Sequence, residues 1–311
     1  MKRLFVLMVI MAAAITTAEA QRADTTGPNT PKAQQGQPAQ TGNQPAQAAP
    51  AAQPPAPTDR RPMPAAKTQE EFKAYQEAAS KATPAEVEAA ADAFATQYPD
   101  SDLKLLLYRK AMFDYQSANN GEKTIAMSKK VLALDPDSPE ALVLAAVITA
   151  QSTRETDLDR DERLNQASAN ASKALQTVDT DMLVPANLPA ERVQTAKNSL
   201  RSMAYDALGT VAMLKKDDST AETNFRKSAE LNPQPDPVTW LRLSIALDHQ
   251  GKYAQALDAA NKAVQYSADS PQANNLAKME RDRLQKLANA GGTAAPISPA
   301  PTAPPASKPP Q

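Results

Sequence analysis

The sequence predicts an all-α fold built as an array of packed helices, and three observations predict it. Apolar residues in the middle of the chain recur at helical spacing, as in Phe72, Tyr75 and Ala79 or Leu105, Tyr108, Met112 and Tyr115. Helix-start signals punctuate the same region. Thr68 and Thr83 each precede a glutamate by three residues, and Pro84, Pro139 and Pro271 directly follow Thr83, Ser138 and Ser270. The pattern also repeats itself at an interval that accommodates a pair of helices. No stretch sustains the period-two alternation of a strand.

In chain order, the sequence begins MKRLFVLMVIMAAAITTAEAQ. Lys2 and Arg3 precede an apolar run over 4–15, and Ala18, Glu19 and Ala20 form a small-x-small site, the pattern of a signal peptide, residues 1–20, cut after Ala20. The run is shorter than the roughly 20 residues a membrane span takes; the alternative is an uncleaved N-terminal anchor. The expectation is export, to the periplasm or cell envelope or beyond the cell. Residues 21–67 and 290–311 are rich in Pro and Ala, with Gln added in the first. Such composition buries too little apolar surface to offset its ordering entropy, so both segments are predicted to be disordered. Residues 68–289 form the only segment able to fold.

Composition removes several functions. The chain of 311 residues has no cysteine, which excludes disulfides, thiolate metal sites, a Cys nucleophile and a lipid-bearing cysteine. With 34 basic and 35 acidic residues the net charge is −1, so no overall field favours nucleic acid or an anionic membrane. No second apolar stretch is long enough to cross a bilayer, and the mature chain is expected to carry no integral span.

The internal repeat is clearest over 202–270. Tyr205 matches Trp240, Leu208 matches Leu243, Gly209 matches Ser244, Ala221 matches Ala256, Phe225 matches Ala260 and Ser228 matches Ala263, each pair 35 residues apart. At these residues the chain resembles the tetratricopeptide repeat (TPR) family, whose unit is a helix–turn–helix carrying an aromatic, a Leu-Gly pair and small residues at fixed places. The resemblance implies a right-handed solenoid with units near 68–101, 105–138, 139–181 (with an insertion around RETDLDRDE), 202–236 and 237–270, closed by a polar capping helix over 271–289. Residues 94–111 also resemble repeats of envelope-assembly TPR proteins. Tyr108, Tyr115, Tyr205, Leu208, Gly209, Ala221, Phe225, Trp240, Leu243, Tyr253, Ala256 and Ala263 take the packing positions. Small residues let paired helices approach, and the rings fill the remaining volume. Trp240 is expected to be core.

The resemblance also implies a concave groove lined by the first helix of each unit. Its slots fall on Arg109, Phe113 and Gln116, on Val143 and Val147, on Asp206, Thr210 and Met213, and on Leu241, Ile245 and Asp248. Phe113 and Leu144 stand where a chaperone-binding clamp needs asparagines, so an acidic chaperone tail is not the expected ligand. The mixed apolar and polar lining suits a segment of another protein, of unknown identity.

Lys130, Lys173, Lys227 and Lys262 recur near the ends of the second helices, where they would complement the helix C-terminal partial charge. From Pro189 an unbroken apolar series predicts one helix of roughly 27 residues at ~1.5 Å each.

No residues of catalytic, metal-binding or cofactor-binding chemistry stand out. Asp157, Asp159 and Asp161 have the spacing that opens a calcium loop. Glu162 replaces its glycine, though, and Ser168 its bidentate glutamate, leaving a solvated insertion as the reading. His249 is the chain's lone histidine and has no cysteine to share a metal with. The expected function is a non-enzymatic protein-binding scaffold of the cell envelope. The alternative is a passive wall-associated spacer whose Pro-rich tails mediate association, with an enzyme third.

Overall fold

The computed structural model describes residues 61–232 and 236–289. The predicted signal segment, residues 21–60 and the tail from 290 lie outside them. The described residues form eleven α-helices and no strand: α1 (Gln69–Ala79), α2 (Pro84–Gln97), α3 (Leu103–Ser117), α4 (Gly121–Leu134), α5 (Pro139–Ser152), α6 (Arg160–Thr177), α7 (Ala190–Leu214), α8 (Asp218–Leu231), α9 (Pro237–His249), α10 (Tyr253–Tyr266) and α11 (Pro271–Asn289).

Local chemistry sets the starts. Thr68 and Thr83 each complete a capping box: the hydroxyl accepts from the backbone N–H of Glu71 or Glu86, and that glutamate accepts from the cap's own N–H. Proline occupies the first turn of α2, α5 and α9, where a missing N–H costs nothing.

One turn design recurs three times. Helices α3, α7 and α9 each end on a left-handed residue: Asn119 at φ 59°, Lys216 at 62° and Gly251 at 71°. The next residue's N–H then reaches back to a carbonyl of the ending helix, Asn120 to Tyr115, Asp217 to Ala212 and Lys252 to Leu247, each at 2.9 Å. This Schellman closure satisfies carbonyls the helix end would otherwise orphan. Asn120 and Asp217 then cap the following helix through their side chains. A left-handed lysine costs about 1–2 kcal/mol, and glycine's extra unfolded entropy returns about 0.5–1 of that. Lys216→Gly should therefore stabilise the chain by about 0.5–1 kcal/mol, seen as a higher urea midpoint at unchanged slope.

Packing is strictly local along the array: helices pack on the next helix or the next but one. Leu107, Met112, Met127 and Val131, all 0% exposed, centre the first cluster. Helices α5–α7 share a second, and α7–α11 a third around Phe225, Leu243 and Leu247. The N-terminal half of α7 is docked: Ala196 and Leu200 are buried against Val143, Ala146 and Ala174. The link before α7 is a plug rather than a plain break. Leu183 enters the first cluster while Met182 and Val184 enter the second.

Two expectations are corrected. Residues 61–67, read from composition as part of a disordered linker, form a non-helical strap laid on the array. Arg61 donates to both carboxylate oxygens of Asp135 at 2.8 Å, Met63 and Ala66 pack on the first cluster, and the Lys67 ammonium donates to the Asp100 carbonyl at 2.6 Å. Composition missed it because one ion pair and one methionine suffice to anchor seven residues. Helix α11 is less polar on its outer face than a closing cap requires: Ala277 and Leu284 are buried, but Leu276 and Met279 are 57% and 69% exposed. No helix among the described residues is long and apolar enough to cross a membrane.

Candidate functional site

The slots implied for the groove divide into two sets. Arg109 on α3 is 1% exposed, and its Nη2 meets Glu140 of α5 at 2.7 Å. Glu140 takes a second bond from the Ser138 hydroxyl at 3.3 Å. Phe113, Val143, Asp206 and Thr210 are also buried. Asp206 accepts from Arg242 at 2.7 Å and from the Thr239 hydroxyl at 3.1 Å, while Thr210 bonds back to the Asp206 carbonyl at 2.8 Å. Burial pushes the Asp206 carboxyl above its ordinary value despite the attraction of Arg242, and Asp236 adds to the push. Arg109 and Asp206 join neighbouring first helices, and Phe113, Val143 and Thr210 are buried in the array with them. The repeat register identifies the helices, but not which of their turns the array buries.

Gln116, Val147, Met213, Leu241, Ile245 and Asp248 remain half-buried. Asp248 is engaged by Arg283 of α11 at 2.5 Å. The open residues of the implied groove are therefore mainly apolar, carried by α3, α5, α7 and α9.

Of the packing positions, Tyr108, Tyr115, Gly209, Ala221, Phe225, Leu243, Ala256 and Ala263 are buried. A Cβ on Gly209 would lie 2.7 Å from the Phe225 ring, so only glycine fits beneath it. Tyr205, Leu208, Trp240 and Tyr253 are half-buried. Trp240 is thus a flank of the third cluster rather than its centre.

The repeating lysines are corrected as well. Lys130 stands over the Tyr108 ring at 5.0 Å, Lys227 over Tyr205 at 5.2 Å and Lys262 over Trp240 at 4.5 Å, measured to the ring centroid. In each hairpin the lysine follows its aromatic by 22 residues, a signal present in the sequence. Such contacts are worth about 0.5–1 kcal/mol at exposed sites. Lys173 has no ring partner among the described residues, Leu142 standing at the aromatic's place, and it pairs with Asp137 at 2.8 Å.

Between α2 and α4 the rings and lysines close into a polar network. The Tyr108 hydroxyl donates to Asp92 at 2.8 Å and the Tyr115 hydroxyl to Glu88 at 2.5 Å, while Lys130 and Lys123 pair with the same two carboxylates. Burial opposes ionisation of Glu88 and Asp92, but the hydrogen bonds outweigh it and hold both carboxyls below their ordinary values. Burial first and Glu88 second push the Tyr115 phenol up to about 12. Because the folded carboxylate values are depressed, their stabilisation is complete above the ordinary 4.5 and 3.8 and is lost as pH falls through the folded values. The urea midpoint should drop between pH 7 and pH 3, and the double variant Glu88→Gln/Asp92→Asn should show a smaller drop.

The insertion before α6 fastens helices. Arg160 donates to the Leu214 carbonyl at the end of α7, and Lys215 donates to Asn165 at 2.7 Å. Asp157 accepts from the Arg154 N–H at 2.8 Å and Asp161 pairs with Arg160. Among the described residues no group of three or more His, Cys, Asp or Glu comes together as a metal site. His249 is exposed with Nδ1 3.1 Å from Asp218, and the Ser244 hydroxyl is spent on the Ala256 carbonyl at 2.9 Å.

No family model matches the sequence, and no curated protein does. Among solved structures the chain is similar to that of MamA protein, at 19% identity over 60% of this chain and 88% of that one, with a TM-score of 0.37. It is also similar to a thermophilic TPR protein of Thermus thermophilus, at 15% identity over 69% of this chain and 99% of that one, TM-score 0.37. A third likeness is to the APC/C hetero-tetramer Cut9–Hcn1, at 18% identity over 68% of this chain and 42% of that one, TM-score 0.31. The repeat itself rests on this chain's own packing. Hairpins stack in sequence, with Phe225 seated on Gly209 and alanines at the crossing of α9 and α10. The described residues form an all-helical array of stacked helical hairpins.

Proposed function

We propose that the protein is an exported, non-enzymatic scaffold of the cell envelope that holds a segment of another protein against the open apolar residues of its first helices, Val147, Met213, Leu241 and Ile245, with Gln116 at one end. The observation that carries the reading is the strap over 61–67. There the array already holds a non-helical, proline-containing segment through one arginine–aspartate pair and apolar contacts, the type of recognition a bound partner segment would use. Export rests on the predicted signal segment.

Photo-cross-linking residues placed at Met213 and at Ile245 in intact cells test the scaffold reading. Both positions should give one shared adduct, while a probe at Glu162 on the insertion side should give none. Adducts that vanish with residues 21–60 and 290–311 but ignore Met213→Asp and Ile245→Asp would favour a passive spacer. Sequencing the N-terminus of the protein recovered from the envelope fraction should read from Gln21; recovery of the uncut chain in the cytosol would contradict export.

A further inference from the structure

The array carries a second accessible surface, made of other residues than that row. A cleft of about 370 Å³ runs between α8 and α10, floored by Trp240, Leu243 and Leu247 of α9. The corresponding place between α2 and α4 is crossed by the polar network of Tyr108, Tyr115, Lys123 and Lys130, and the side chains differ. When the hairpins are aligned on their buried residues, Asp92 corresponds to Arg226, Tyr115 to Leu247 and Tyr108 to Trp240. The carboxylate that draws Lys130 across the first groove is thus replaced by a like charge facing Lys262, and the phenol that reaches over to Glu88 is gone. Arg226 pairs with Glu222 of its own helix at 3.0 Å and reaches Gln255 of α10 at 2.8 Å, so polar contacts cross the cleft at Gln255 and not over the Trp240 ring. The groove lies over an indole whose Nε1–H is out of solvent contact and has no acceptor among the described residues. Leaving such a donor unmet is unfavourable unless an acceptor arrives.

We propose that this cleft is the docking site for the chain's own C-terminal segment, residues 290–311, taken up in a polyproline-type conformation. Three features select that occupant. The first is position: Arg283 of α11 is held by Asp248, and Leu284 is buried with Leu243 and Leu247. The chain therefore leaves α11 beside the end of α9 and the start of α10, where Leu247, Ala254 and Gln255 line the cleft. Its 22 residues reach up to ~70 Å at ~3.1 Å per residue, several times the ~20 Å that α10 spans.

The second is chemistry. Seven of the 22 residues are proline and most of the others are alanine, serine, threonine or glycine. An extended segment of this kind has carbonyls without internal partners, and aromatic-lined grooves read it by stacking prolines and donating an indole N–H. Lys262 now covers the Trp240 ring but already pairs with Asp258 at 3.2 Å, so its arm has a place to go when a proline takes the ring. Lys308, the segment's one charged side chain, can meet Glu230 on the cleft's edge, Asp258 there being paired with Lys262. The third is precedent within the molecule: the strap with Pro62 and Pro64 lies on the first hairpins of the same array.

Trp240 is the chain's only tryptophan, so its fluorescence reports the cleft alone. The test compares the full-length chain with a full-length variant in which the seven prolines of 290–311 are alanine, far-UV circular dichroism showing both folded. The proposal predicts red-shifted emission and greater iodide quenching in the variant. A peptide of residues 290–311 should reverse both changes saturably, and Glu230→Lys should weaken that reversal. Identical emission and quenching in the two chains would overturn the proposal. Equal reversal by a peptide of residues 41–60 would overturn the assignment to the C-terminal segment. A difference that grows with protein concentration would overturn docking within one chain and give the cleft to a neighbouring copy's tail.

Discussion

Glu140→Leu is expected to destabilise the protein by about 3–5 kcal/mol, because it strands the Arg109 guanidinium in the interior. Arg109 and Glu140 side chains are 2% and 3% exposed and 2.7 Å apart. Nε and Nη1 of Arg109 already lack acceptors among the described residues, so nothing else is placed to take the charge. The pair joins α3 to α5, first helices of successive hairpins, and its loss loosens the stack between them. Removing both charges has a different expected outcome. Buried pairs repay little more than their desolvation, so Arg109→Met/Glu140→Leu should recover most of the loss and equal or exceed the native stability. Urea unfolding of the two single variants and the double variant gives the coupling directly. Comparable losses in all three would mean that packing volume, not charge, governs the site.

Phe225→Ala is expected to cost about 3–5 kcal/mol. The ring is 0% exposed, lies across Gly209 of the preceding helix, and centres the third cluster with Leu243 and Leu247. Gly209→Val approaches the same contact from the other side. Its first added carbon already meets the ring at 2.7 Å, so the helices must part, for about 1–3 kcal/mol. Since the two residues form one contact, the double variant should cost less than the sum of the singles. Full additivity would show that Phe225 is held by something other than the α7–α8 crossing.

What the sequence made legible follows from how local each interaction is. Thr68 with Glu71, Thr83 with Glu86 and the prolines at helix starts act within four residues, so their pattern reads directly as structure. Gly209 and Phe225 were legible because the repeat places a small residue opposite a ring. The groove was only half legible. Arg109, Phe113, Val143, Asp206 and Thr210 sit at the anticipated register, but the array buries them. The lysines were misassigned because one position near a helix end satisfies two rules. Proximity to the helix terminus suggested dipole compensation, while the ring 22 residues earlier offers the closer partner. The strap was hidden by composition averaging, in which Arg61 and Met63 are diluted by proline and alanine.

The central claim is that this is a linear array whose hairpins depend on their neighbours and not on a shared core. A chain ending at Asn232, lacking α9–α11, tests it most directly by amide NMR with hydrogen exchange. Since each helix packs on the next or next but one, α1–α6 should keep their native resonances and protection, with changes confined to α7 and α8. Loss of protection throughout α1–α6 would contradict the account.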